Sequence, residues 1–147
     1  MKKREIRPAL DALKTIKMPL IEDKELRNLI IRDHFQLLGE QKRYSSDFED
    51  ARTATLSGYE KDQEEVVKLD AQLRGETDAE KQKAIIAEIE KHKGYLDAVK
   101  MFNETAAKMG EEEVEIEHID ADKFIAEYQK QDYDMGVVEA LYPLFKV

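Results

Sequence analysis

The chain has 147 residues, with 33 Asp and Glu against 24 Lys and Arg, for a formal net charge of −9 at pH 7. Hydrophobic residues make up 41% and aromatic residues 7%, and there is neither Cys nor Trp. This length indicates a single domain, residues 1–147, with a thin core. The missing cysteines exclude disulfides, thiolate metal sites and a cysteine nucleophile, and the acidic total argues against nucleic-acid binding.

The charge is unevenly distributed along the chain. Residues 1–43 carry 11 Lys and Arg against 7 Asp and Glu, a net of +4, whereas residues 111–147 carry 3 against 11, a net of −8. We therefore expect the two ends to attract each other. No apolar run of signal-peptide or membrane-spanning length follows the basic start, so we expect a cytoplasmic protein that does not contact a membrane.

The first elements are short. Lys2–Ile6 can be extended, and the helical spacing that follows predicts a helix over Pro8–Ile16, with Pro8 in its first turn. Met18-Pro19 ends that helix, because the residue before a proline is pushed out of the helical region.

A long helical pattern runs from Asp23 to Arg74. Its apolar stripe contains Leu26, Ile30, Leu37, Tyr44, Phe48, Ala51, Thr55, Tyr59, Val66, Leu69 and Leu73. Ser45, Ser46 and Gly58 lower the helix propensity in its middle, so we expect a kink or a split between Tyr44 and Gly58.

The chain is predicted to reverse after Gly75. We interpret Gly75 as a left-handed helix stop and Thr77–Glu80 as a capping box that starts the return helix. Spacings of four and three predict a coiled-coil seam on that helix, which contains Ile85, Ile89, His92, Leu96, Val99, Asn103 and Ala106. The fold class is thus mainly α. Residues 23–109 form a long antiparallel, coiled-coil-like helical hairpin, and residues 1–22 and 110–147 form a subdomain at its open end.

The C-terminal region is predicted to complete that subdomain. Gly110 ends the return helix, and residues 113–118 alternate polar and apolar as a half-buried strand does. This strand would pair with Lys2–Ile6 in a minor two-stranded β-sheet joining the termini. Asp120 would then cap a short helix with Phe124, Ile125 and Tyr128 inward. The apolar tail with Leu141, Leu144 and Phe145 would either close the core or bind a partner.

Catalytic, cofactor and metal patterns are weak. A carboxylate-bridged di-metal site needs Glu-x-x-His on two helices, and neither long helix contains that spacing. Asp132–Gly136 begins like a calcium loop but has Gly136 at its fifth place and Pro143 at its twelfth, so we reject calcium. We therefore predict a non-enzymatic protein without a cofactor or metal. His34, His92 and His118 with nearby carboxylates remain the ligands of the alternative, a metal-dependent enzyme.

The order of several segments resembles a family of small, mostly helical proteins of unknown function encoded by bacteriophages and prophages. The segments are Ala9–Leu13 with Met18-Pro19-Leu20, Asp47–Arg52, Met101–Glu104, Glu113–Glu117 and Leu141–Phe145. The resemblance implies a phage-type accessory or assembly role in the host cytoplasm and brings no catalytic residues.

We therefore expect a protein-protein interaction or assembly protein that binds itself, as a possible homodimer, or another protein. The predicted interaction residues are Ile89, His92, Leu96, Val99, Asn103, Leu141, Leu144 and Phe145. Asn103 would either fix the register of the seam or lie where the helix frays. A second alternative to the interaction protein is an acidic regulator of a nucleic-acid-binding protein, which the net charge of −8 over residues 111–147 suggests.

Overall fold

The computed structural model describes residues 1–145; Lys146 and Val147, the last two residues of the predicted domain, lie outside that range. The described chain is mainly α-helical, which confirms the predicted class. Its helices are α1 (Lys3–Leu13), α2 (Lys24–Leu56), α3 (Glu60–Gly75), α4 (Ala79–Glu90), α5 (Lys93–Glu111), α6 (Ala121–Tyr128) and α7 (Met135–Leu141), with 3-10 helices at Met18–Leu20 and Tyr142–Leu144. Within residues 1–145, no helix combines the length and apolar character needed to cross a bilayer.

The chain folds into two compact units. The first contains residues 1–46 and the chain from Met109 onward, and the second contains residues 47–108. Helix α2 begins in the first unit and ends in the second, whereas α5 begins in the second unit and ends in the first. A hairpin over residues 23–109 as one body stays a prediction.

The first unit holds the main apolar core. Helix α1 supplies five buried residues at helical spacing, Ile6, Ala9, Leu10, Ala12 and Leu13, and it packs against α7. The inner face of α2 adds three side chains that the sequence pattern placed correctly, Leu26, Ile30 and Leu37. Burial of this continuous surface is the main stabilising contribution to the unit.

The predicted two-stranded sheet is wrong. Lys2–Ile6 is not extended, because α1 starts at Lys3 and the Glu5 carboxylate accepts a hydrogen bond from the Lys2 backbone N–H at 2.8 Å. This is the helix-starting half of a capping box, and it places Ile6 on the buried helical face. Residues 112–119 form no strand and make two isolated bridges, from Lys2 to Glu113 and from Ile119 to Phe145.

The attraction between the chain's two ends is nevertheless present. The Lys3 N–H donates to the Glu112 carbonyl at 2.9 Å, and the Lys2 and Arg4 side chains form ion pairs with the Glu111 carboxylate. These contacts lower the pKa of Glu111, chiefly through the hydrogen bond from Lys2. Glu111 is exposed, so the pairs contribute little to stability in salt.

The long helix predicted before the chain reversal is split in two, and the split lies at Gly58, the end of the predicted interval Tyr44–Gly58. Helix α2 continues without interruption through Ser45 and Ser46 to Leu56, and the break falls at Gly58, whose φ is +92°. L-residues with a side chain rarely adopt this left-handed conformation, whereas glycine does so freely. Gly58 therefore separates α2 from α3.

The reversal between α3 and α4 occurs where it was predicted, but with other residues. Gly75 is the last residue of α3 and does not have a positive φ, so it is not a left-handed stop. The N-cap of α4 is Asp78 instead of Thr77, and its carboxylate accepts from the Glu80 N–H at 3.0 Å. The Glu76 carboxylate accepts from the Thr77 and Asp78 N–H groups at 3.1 and 3.0 Å. Two carboxylates thus satisfy the turn's free donors.

The return helix is two helices. A turn at Lys91 and His92 separates α4 from α5, and α5 extends past Gly110 to Glu111. Gly110 is buried, and a Cβ there would lie 3.4 Å from the Arg4 Cβ and the Tyr44 hydroxyl. Gly110 therefore marks a close approach of neighbouring chain segments instead of a helix stop.

Candidate functional site

The predicted seam residues lie in the second unit and are not equivalent. Ile89, His92, Leu96 and Val99 are half-buried, whereas Asn103 is exposed. Next to Asn103, the Phe102 ring packs edge-on against Phe48 with centroids 5.1 Å apart. The turn at His92 interrupts the spacing from which Asn103 was predicted, so Phe102 takes the inward position instead.

His92 joins α3 to the turn between α4 and α5. Its Nδ1 lies 2.8 Å from the Asp62 carboxylate and its Nε2 lies 3.1 Å from the Glu65 carboxylate. Either neutral tautomer donates from one ring nitrogen only, so only the doubly protonated ring donates to both carboxylates. The arrangement fastens α3 to the turn.

The other two histidines lie in the first unit. Burial lowers the pKa of His34, with a smaller effect in the same direction from Lys14. His118 is exposed and lines an open polar groove of about 850 Å³ together with Glu117, Asp120 and Arg32. Among residues 1–145, no three His, Asp or Glu side chains are arranged to hold a metal ion.

Asp33 is the buried charged residue of the first unit's core. It is 1% exposed, on the same face of α2 as Ile30 and Leu37, and its Oδ2 has no hydrogen-bond partner among the described residues. Burial raises the pKa of Asp33 to about 7, the Glu117 charge adds to this rise, and Arg32 opposes it. A buried carboxylate without a donor is costly when ionised, and the neutral acid avoids that cost.

The predicted C-terminal interaction residues are core residues. Leu141 and Leu144 are fully buried, and Phe145 packs on Phe124 with ring centroids 5.4 Å apart. The Leu144 carbonyl accepts a hydrogen bond from the Ile119 N–H at 2.8 Å. The tail thus closes the core, which is the first of the two interpretations that its sequence allowed. Asp120 caps α6 as predicted, because its carboxylate accepts from the Lys123 N–H at 3.1 Å.

The outer side of α6 and α7 carries an apolar groove. Its volume is about 400 Å³, and its lining consists of Ala121, Ile125, Met135, Val138, Glu139, Tyr142 and Phe145. Met135 is 57% exposed and Tyr142 is 62% exposed. Such an apolar recess with one carboxylate at its edge has the composition of a binding groove.

A second apolar surface lies on α2, and sequence reasoning missed it. Ile31, Phe35 and Leu38, hereafter the α2 stripe, are 36%, 71% and 43% exposed. Their spacing of four and three places them on one face of the helix. The sequence did contain the pattern that indicates this surface. Residues 26, 30 and 37 define the buried face of the helix, so apolar residues on a different face should be exposed. A contiguous apolar stripe that stays exposed on a helix face is typical of an interaction surface.

Comparisons of the chain with protein-family models, with curated proteins and with solved structures found no match.

Proposed function

We propose that this chain is a non-enzymatic interaction or assembly protein that binds a protein partner through the α2 stripe. The observation that carries the proposal is Phe35, which exposes 71% of its surface on a regular helix. Contact of an exposed aromatic ring with water is unfavourable, and burial of the ring against a partner would remove that free-energy cost. Aromatic anchors of this kind dominate the binding energy of protein interfaces.

The α2 stripe favours a helix-in-groove mode of recognition. Its residues occupy the i, i+4 and i+7 positions, which are the anchors of a helix that lies in an apolar groove. The phage-type assembly role implied by the family resemblance is compatible with this proposal, and so is a role in the cytoplasm. Neighbouring genes that encode phage structural proteins would favour it.

Two alternatives from the sequence have less support. An acidic regulator would need the carboxylates of residues 111–113 to bind its partner. Two of them already form ion pairs within the chain, Glu111 with Lys2 and Glu112 with Lys3. A metal-dependent enzyme would need His118 with its neighbours Glu117 and Asp120 in the polar groove. Metal content of the purified protein by elemental analysis separates that enzyme from the interaction protein.

Site-specific cross-linking tests the proposal. A photoreactive phenylalanine analogue replaces Phe35, and the control protein carries it at the exposed Arg7 of α1 in the same unit. After irradiation in cells that express the chain, we expect covalent protein adducts from position 35 and few from position 7. Equal yields at both positions, or no adduct from position 35, would contradict the proposal.

A further inference from the structure

We propose that the apolar groove between α6 and α7 receives the α2 stripe of a second copy of this chain, so that copies associate head to tail. The inference rests on the proposed function, because it names the partner of the same α2 stripe. Both surfaces belong to the first unit.

The two surfaces match in size and chemistry. The groove's volume of about 400 Å³ lies within the range of protein pockets that hold apolar groups. Its exposed walls are Met135 and Tyr142, a flexible thioether and an aromatic ring, which both pack well on aromatic side chains. Phe35 projects as the most exposed apolar side chain of the α2 stripe and is the natural anchor for this groove.

The two surfaces also carry opposite charge. Lys24 lies seven residues before Ile31, and Lys42 lies four residues after Leu38, so exposed cations continue the line of the α2 stripe at both ends. The groove contains Glu139.

The charges select one arrangement of two copies. Two α2 stripes that faced each other would bring Lys24 and Lys42 of both copies together, and two grooves that faced each other would bring two Glu139 carboxylates together. Like charges brought together at an interface are repulsive. Only the pairing of a stripe with a groove joins opposite charges and fills the groove. This contact is heterologous, so it continues into rings or open chains of copies.

Two single variants separate this arrangement from the others. Phe35→Glu removes the stripe and leaves the groove, and Met135→Glu removes the groove and leaves the stripe. Sedimentation velocity over a concentration series should show wild-type protein growing beyond a dimer and each variant losing affinity by at least about tenfold. An equimolar mixture of the two variants should restore a dimer that does not grow, because it holds one intact stripe and one intact groove.

A second pair of variants tests the groove even if Met135→Glu does not fold. Glu139→Lys changes an exposed groove residue and should weaken association and reduce its sensitivity to salt. The matched control Glu64→Lys reverses an exposed charge on α3 in the other unit and should leave association unchanged. Circular dichroism of each variant checks that the helices are intact.

The remaining outcomes overturn the inference in distinguishable ways. If Phe35→Glu abolishes self-association while both groove variants retain it, the α2 stripe binds a partner but the groove does not receive it. If wild-type protein stays monomeric while position 35 cross-links to a different protein, the proposed function holds and self-docking is wrong. If neither self-association nor cross-linking occurs, both proposals fail.

Discussion

Asp33 shows how one residue couples stability to pH. Asp33 lies between Ile30 and Leu37 on the buried face of α2, where it interrupts the apolar pattern of the sequence. Nothing in the sequence indicated whether its carboxyl group is buried or faces solvent. Tertiary packing decides the matter, because it leaves Asp33 1% exposed and brings the like charge of Glu117 close enough to act on it. Such tertiary surroundings are not encoded in local spacing.

Replacement of Asp33 by Asn should stabilise the protein at alkaline pH. The folded chain holds the Asp33 proton up to about pH 7, whereas the unfolded carboxyl titrates near its ordinary pKa of 3.8. Ionisation therefore lowers the free energy of unfolding progressively between these two pKa values, and the loss is complete above the folded one. We expect Asp33→Asn to raise the free energy of unfolding by about 2–4 kcal/mol at pH 8 and by little at pH 4.

Urea denaturation at both pH values measures this difference. The control is Glu115→Gln, which removes an exposed carboxylate from the first unit and should have a small effect at both pH values. An equal effect of Asp33→Asn at pH 4 and pH 8 would show that the buried carboxyl is not the source.

Helix existence was predictable, but helix ends were not. Periodicity predicted α6 and, apart from the interruption at Asp33, the inner face of α2. It also predicted a helix over Pro8–Ile16, which overlaps α1 but misses its observed bounds of Lys3–Leu13. The break at Gly58 lies at the end of the interval predicted for it, and its exact position depends on one backbone conformation, the positive φ of Gly58. The break at Lys91 and His92 was not predicted, because it depends on side chains of another element, the Asp62 and Glu65 carboxylates that contact His92. The strand prediction for Lys2–Ile6 failed because the capping contact of Glu5 favours a helix.

Gly58 and Gly75 offer a matched test of these breaks. Gly58→Ala forces a side chain into a left-handed conformation and should lower the free energy of unfolding by about 1 kcal/mol or more. Gly75→Ala places alanine in a helical position with open space around it, so it should be neutral or stabilising by up to about 1 kcal/mol. Thermal unfolding followed by circular dichroism distinguishes them, and equal shifts of Tm would contradict the assignment of Gly58 as the break.

At the scale of the whole molecule, the sequence predicted a thin core and complementary ends but not where the core lies. The buried residues concentrate in the first unit, whereas only Val66 and Ala98 are buried apolar residues among the described residues of the second. The charge asymmetry of the sequence predicted that the two ends attract each other but not which residues pair, because Lys2, Lys3 and Arg4 pair with Glu111 and Glu112 instead of the glutamates of a strand. It could not reveal the groove, because side chains that are distant in the sequence line it, from Ala121 in α6 to Phe145.

This distribution predicts unequal local stability. Amides of α3 and α4 should exchange with solvent through low-energy local opening, because few apolar contacts hold them. Amides of α1 should exchange only through unfolding of the first unit. Native-state hydrogen exchange should therefore show α1 protected at least about tenfold more than α3, and equal protection would contradict a core confined to the first unit.

The central claim, that a protein partner covers the α2 stripe, is tested most directly by hydroxyl-radical footprinting of Phe35. Labelling in cells that express the chain is compared with labelling of dilute purified protein, with Met101, which is 60% exposed and lies in the second unit, as the internal reference. The account predicts that labelling of Phe35 falls several-fold in cells relative to Met101. Unchanged relative labelling would show that the α2 stripe stays in water and would contradict the account.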